Sequence, residues 1–174
     1  MMASAADYSA VESLRDGSAI ELRALRPDDR DDMLAAVNRT SVQSLQRRFF
    51  VPKRGFSDKE ISFFMNVDFA NHVALVAQID EDGHPVIAGG GRYIVTQPGQ
   101  AELAFVVVDV YQGKGIATAL MRHLLAIARD AGLRVLTAEI LPENAAMLKV
   151  FSGFGFRSRA GSDPQVRHLS LQLA

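Results

Sequence analysis

Residues 109–120 read DVYQGKGIATAL, with Gly113 and Gly115 on either side of Lys114, an apolar run before them and a helical pattern after. Glycines at that junction suit an anion. The start of a helix offers unpaired N–H groups and the positive end of a dipole, and residues without a Cβ let a phosphate reach that backbone. Spacing argues against two familiar phosphate turns. The nucleoside-triphosphate loop G-x-x-x-x-G-K-[ST] needs a further glycine upstream and a hydroxyl after the lysine, where this chain has Gly115. The dinucleotide fingerprint G-x-G-x-x-G would need its third glycine at Thr118, and the turn comes too late for a first strand–helix unit. Gln112, Gly115 and Ala117 do satisfy Q-x-x-G-x-[GA]. Lys114 keeps two readings, an added charge for the anion or a solvated side chain pointing away, because the amides already do the holding.

Downstream, Asn144 is followed by Phe151, Gly155 and Phe156 in the pattern N-x-x-A-x-x-L-Y-x-x-x-G-F, with Met147 in the alanine slot and Phe151 in the tyrosine slot. In this order and spacing the two motifs resemble those of the GNAT superfamily of N-acetyltransferases, whose glycine turn holds the diphosphate of acetyl-CoA. The segments LRALRPDD, QRRFF, HVALVA, AGGGRY and AELAFVVV are similar to the catalytic domain of bacterial Pat-type protein lysine acetyltransferases. The resemblance covers about residues 19–174. It implies an α/β (α+β) GNAT fold, a mixed and mostly antiparallel central sheet flanked by helices, with splayed central strands. It also implies an acetyl-CoA-dependent N-acetyltransferase acting on a protein lysine. A small amine acceptor and a noncatalytic acyl-CoA-binding sensor are the alternatives.

A lysine amine has a pKa of about 10.4 and must lose a proton before it attacks a thioester, so a base is wanted. Glu102 begins the strand AELAFVVV, and a period of two puts it on the face of Ala104 and Val106, opposite the bulkier Leu103, Phe105 and Val107. From the residues alone, an exposed glutamate at a strand end is the plainer account. In Pat-type domains the glutamate of a similar A-E-[FL]-A strand is the general base, directly or through water, and Glu102 matches it. The resemblance further implies that this strand parts from its neighbour, so that the pantetheine arm bonds to backbone around Val106, Val107 and Val108, with the Val107 N–H facing the oxyanion. The diphosphate is expected on the amides of Gln112, Gly113, Lys114, Gly115, Ile116 and Ala117, with the Thr118 hydroxyl beside them. Asn144 either caps its helix or bonds the donor's arm. Phe151 departs from the pattern, since it has no proton to give a leaving thiolate. Either the thiolate leaves without a dedicated acid or Tyr111 or Tyr93 serves, and Phe151 packs against CoA or core.

The elements that must hold these groups are legible from periodicity. AIELRAL alternates as a strand, RPDD opens a helix with acidic residues at its positive end, and a second helical stretch runs through SVQSLQRRFF. Ser57 and Glu60 form a capping box for SDKEISFFMNV, with Ile61, Phe64 and Met65 on one face. HVALVAQI, a turn at EDGH, PVIAGGGRYIV, a turn at QPGQ and AELAFVVV form a meander, in which Gly89, Gly90 and Gly91 predict a bulge or a close backbone approach. Ile116, Leu120, Leu124, Ile127 and Ala131 lie at helical spacing, and Gly132 supplies a left-handed stop. RVLTAEIL reads as a strand, PENAAMLKVFSG as a helix and VRHLSLQL as a closing strand. Residues 1–18 read as a loose or helical leader ahead of a domain at 19–174.

Composition bounds the rest. With 174 residues and 48% apolar content the chain suits one core, and a net charge of -1 leaves no global footprint for nucleic acid. QRRFFVPKR mixes basic and aromatic residues, but reads as a helix end with solvated charges and core phenylalanines. There is no cysteine, which excludes a thiol nucleophile and accords with a cytoplasmic location. No stretch is long enough to span a bilayer, and a homodimer is left open. His72, His84, His123 and His168 lack metal-ligand spacing, so no metal site is expected.

Overall fold

Hairpins and short crossovers carry the chain into an eight-stranded sheet in the order β1-β2-β3-β4-β5-β6-β8-β7. The computed structural model describes residues 5–39, 57–159 and 165–173. The strands are β1 (Ser9–Ser13), β2 (Ala19–Ala24), β3 (His72–Glu81), β4 (His84–Gln97), β5 (Gln100–Val107), β6 (Val135–Ile140), β7 (Arg157–Ser158) and β8 (Arg167–Gln172). The helices described are α1 (Arg30–Asn38), α2 (Asp58–Met65), α3 (Ile116–Asp130) and α4 (Ala145–Gly153). All neighbouring strands run antiparallel except β5 and β6, which are parallel because α3 returns the chain between them. The second helical stretch and QRRFFVPKR lie outside the described residues.

Pairing partners share a face, which divides the core in two. Val73, Leu75, Leu103 and Phe105 pack with Leu120, Leu124 and Phe151 of α3 and α4. On the other face Ala74, Val76 and Ile87 meet Met33 and Ala36 of α1 and Met65 of α2. The apolar stripe of α3 explains its docking, with Ile116, Leu120, Leu124 and Ala128 almost inaccessible. Ala131, expected on that stripe, is exposed at the C-cap, and Ala128 fills the last turn instead. Gly132, at φ +82°, stops the helix: its amide bonds to Arg129 O and the Leu133 amide to Ala128 O, both at 3.0 Å. The capping box of α2 forms, with Glu60 N donating to Ser57 Oγ at 3.2 Å and Ser57 N to Glu60 Oε1 at 3.1 Å.

Two readings change. Within the segment expected to be a loose or helical leader, Ala5–Asp7 forms a short 3-10 turn and Ser9–Ser13 pairs in register with Ala19–Arg23 as an edge strand. Tyr8 donates to Nδ1 of His123, whose Nε2 donates to Glu12, and Arg122 bonds Glu12 at 2.9 Å, so α3 holds β1 by side chains. Asp29, expected simply to complement a helix start, is buried and pairs with Arg23 through two bonds of 2.8 Å. Burial raises its carboxyl pKa, but the bonds from Arg23 and the Arg26 amide outweigh that and hold it below its ordinary value. The glycine run is both bulge and close approach: the β3–β4 register shifts at Ala77/Gln78, beside Gly89, and at Gly91 an added Cβ would lie 2.6 Å from the Phe105 ring.

Candidate active site

Strands β5 and β6 pair only through Gln100↔Val135, Ala101↔Leu136 and Glu102↔Thr137, although β5 continues to Val107 and β6 to Ile140. Beyond Glu102 the two strands part. The opening is a cavity of about 600 Å³, within the range of small-molecule sites, walled by β5 from Glu102 to Val107, by Glu139 and Ile140 of β6, and by α4 residues including Met147, Lys149 and Val150. Gln112, Gly113, Gly115, Ile116, Ala117 and Thr118 close its far end. From Glu102 to Val107 the wall is roughly 17 Å long at about 3.3 Å per residue.

Backbone polarity along that wall follows from the sheet. The Val108 N–H donates to Ala88 O at 2.8 Å. Because antiparallel pairs alternate, Val106 opposite Gly90 and Ala104 opposite Arg92 also turn their N–H and C=O groups to β4. Leu103, Phe105 and Val107 turn theirs toward β6 and the opening. Among the expected Val106, Val107 and Val108, the alternation therefore leaves Val107 to offer backbone bonds. Val106 contributes its side chain to the lining, and Val108 is buried beneath it.

The turn after β5 is built to leave amides open. Gly113 and Gly115 adopt φ of +80° and +94°, where an L side chain is strained, and nothing lies within 4 Å of a Cβ added at Gly113. The first bond of α3 joins Ala119 N to Gly115 O at 3.0 Å, so the amides just before it face the cavity end without helical partners. Gln112 plays a different part from the one expected. Its own amide donates to Asp109 O at 3.2 Å, and its side-chain Nε2 donates to Val107 O at 3.0 Å, which ties the turn to the end of β5. Lys114 does not line the cavity: its Nζ pairs with Asp16 Oδ2 at 3.0 Å.

The remaining residues separate as follows. Glu102 is exposed into the cavity, with Ala104 and Val106 half-buried on its face, while Leu103 and Phe105 are buried opposite. Asn144 lines the cavity and caps α4, its Oδ1 accepting from Met147 N at 3.3 Å. Phe151 is fully buried, edge-on to Phe105 at 5.8 Å and to Phe156 at 4.8 Å, and so belongs to the core. Tyr93 is buried away from the lining, and burial raises its hydroxyl pKa. Tyr111 lines the cavity, but its hydroxyl donates to Glu81.

Sequence reasoning missed Arg15 and Glu139 among the lining residues. Glu139 stands two residues beyond Thr137, the partner of Glu102, and hence on the same sheet face, with His168 Nδ1 at 3.6 Å. The alternation in RVLTAEIL marked it as a strand residue, but its place on the Glu102 side of the opening depends on a pairing no local signal announces. Arg15 lay in the segment set aside as a leader.

The family model for the acetyltransferase (GNAT) family matches residues 39–156. An acetyltransferase of Pseudomonas aeruginosa is 34% identical over 154 residues, covering 88% of this chain and 83% of its own. The crystal structure of the GNAT domain of S. lividans PAT superposes with a TM-score of 0.87 at 32% identity, over 94% of this chain and 96% of that one. YncA of Salmonella typhimurium, solved with acetyl-CoA, shares the fold at a TM-score of 0.71 and 20% identity, over 89% and 94% of the two chains.

Proposed function

The chain belongs to the GNAT family of acetyltransferases, and from that premise we propose that it moves an acetyl group from acetyl-CoA to the ε-amine of a protein lysine, with Glu102 as general base. One observation carries the reading: β5 leaves β6 immediately after Glu102, so the carboxylate stands at the narrow end of a cavity whose other end is a turn of open amides. The fit to the donor rests on the donor's chemistry. A diphosphate suits the amides around Gly113 and Gly115, and an extended arm suits an open strand edge.

In this reading the Gly113 to Ala117 amides and the Thr118 hydroxyl hold the diphosphate, and the Val107 N–H bonds the arm or the thioester oxygen. Glu102 takes a proton from the lysine ammonium, directly or through water. The neutral nitrogen forms its bond to the acetyl carbon, the carbon–sulfur bond breaks with CoA leaving as its thiolate, and the nitrogen gives its second proton to water as the amide forms. The Phe151 ring has no proton for that sulfur, and the Tyr111 hydroxyl is bonded to Glu81, so the thiolate departs without a dedicated tyrosine acid. The resemblance to Pat-type lysine acetyltransferases supports the protein acceptor.

The test is incubation with acetyl-CoA and either a cell extract or a panel of small amines, comparing the wild type with Glu102→Gln by lysine-acetyl mass spectrometry. The expected result is protein lysine acetylation by the wild type and a loss of about 10²- to 10⁴-fold in the variant, with acetyl-CoA still bound. Full activity in Glu102→Gln would sink the base assignment. Acetylation confined to small amines would replace the acceptor, and absence of acetyl-CoA binding would remove the donor.

A further inference from the structure

The tip of the hairpin between β1 and β2 meets the amide turn, through Asp16 and Lys114 and with Arg15 near Gly115. This tip is ordered by short-range bonds: Leu14 N donates to Ser18 O at 2.8 Å, Gly17 N to Leu14 O at 2.9 Å, and Leu14 is buried. Asp16 accepts from the Ser18 hydroxyl and amide and from Lys114, and these bonds hold its carboxyl well below the usual carboxylate range. The hairpin is thereby clamped to the turn. Beside Asp16, Arg15 lines the cavity with Gly113 and Gly115, and its Nε lies 3.8 Å from where a Cβ on Gly115 would stand. No hydrogen bond or ion pair joins Arg15 to any of the described residues.

We infer that Arg15 is a donor-binding residue, supplying from the N-terminal hairpin the cation for the CoA diphosphate that Lys114 does not supply. The inference rests on acetyl-CoA being the donor. Three physical facts converge on it. A guanidinium presents a planar fork of donors suited to phosphate oxygens. Lys114 neutralises Asp16, so the carboxylate next to Arg15 does not oppose an incoming dianion. The same ion pair ties the hairpin to the turn, so the exposed Arg15 side chain stands at the cavity mouth beside Gly113 and Gly115.

Calorimetry of the wild type, Arg15→Ala and Arg15→Lys with CoA, 3′-dephospho-CoA and pantetheine tests the assignment, alongside kcat and KM for acetyl-CoA. Arg15→Ala is expected to weaken CoA about tenfold and to raise KM by a similar factor, with kcat within about twofold. Arg15→Lys recovers part of the loss. The same factor is expected with 3′-dephospho-CoA and none with pantetheine, and the gap narrows as salt rises. Equal CoA binding by wild type and Arg15→Ala overturns the inference, as does an equal loss with pantetheine. A loss that vanishes with 3′-dephospho-CoA overturns the diphosphate assignment in favour of the 3′-phosphate. If the wild type binds no CoA, the failure lies in the donor reading instead.

Discussion

Gly91 sits where the core leaves no room for a side chain. An added Cβ would approach Phe105 Cδ1 to 2.6 Å and Leu124 Cδ1 to 3.0 Å, and the Phe105 ring is itself held edge-on by Phe151. Gly91→Ala is therefore expected to destabilise by about 1–3 kcal/mol, as overpacking does. At Gly90 the nearest atom is Leu75 O at 3.3 Å, so Gly90→Ala should cost less. Urea unfolding of the two variants checks the order, and equal losses would contradict it. Individual residues were legible where the role is local. Gly113 and Gly115 announce an amide turn because only neighbouring backbone is involved, and Glu102 could be placed on the face of Ala104 by strand period alone. Phe151 was legible only as a residue of one slot in a motif, because whether a ring meets ligand or core depends on Phe105 and Phe156.

Elements show the same division. Helix α2 is joined to the sheet through Arg92, which donates to Phe64 O at 3.1 Å, covers the Phe64 ring at 5.0 Å and donates to His72 Nε2 at 2.8 Å. Burial, with the Arg92 cation beside it, pushes the His72 imidazole down to about 4, and Asp68 opposes this only in part. An unfolded histidine titrates near 6.5, so between those values the unfolded chain takes the proton first. The stability tied to neutral His72 is present above about pH 6.5 and is lost as pH falls toward about 4. His72→Gln keeps an oxygen for Arg92 and removes the proton site. Unfolding free energies between pH 7.5 and 4.5 are expected to fall more steeply for the wild type than for this variant, and parallel curves would refute the assignment. The capping box, the Gly132 stop and the alternating strands could be read in advance because each is written within a few residues. The two-residue strand β7 could not, since it exists only as a partner of β8.

For the whole molecule, the main revision concerns the N-terminus. Removing residues 1–18 would take away β1, the buried Leu14 and the Tyr8–His123–Glu12 chain. The expected loss is about 3 kcal/mol, seen as a fall of roughly 6–12 °C in Tm, together with weaker CoA binding through the loss of Arg15. An unchanged Tm would mean that β1 adds nothing to the sheet. By itself the sequence determined what neighbours along the chain decide: strand and helix periods, turns and stops, the amide turn at Gly113 and Gly115, and the family pattern that they compose. Tertiary structure decided where β5 leaves β6, which strand edge faces the opening, and that Lys114 turns to Asp16, 98 residues away, while Arg15 lines the cavity. Those outcomes depend on pairing between distant segments, which brings together side chains whose local surroundings carry no sign of each other.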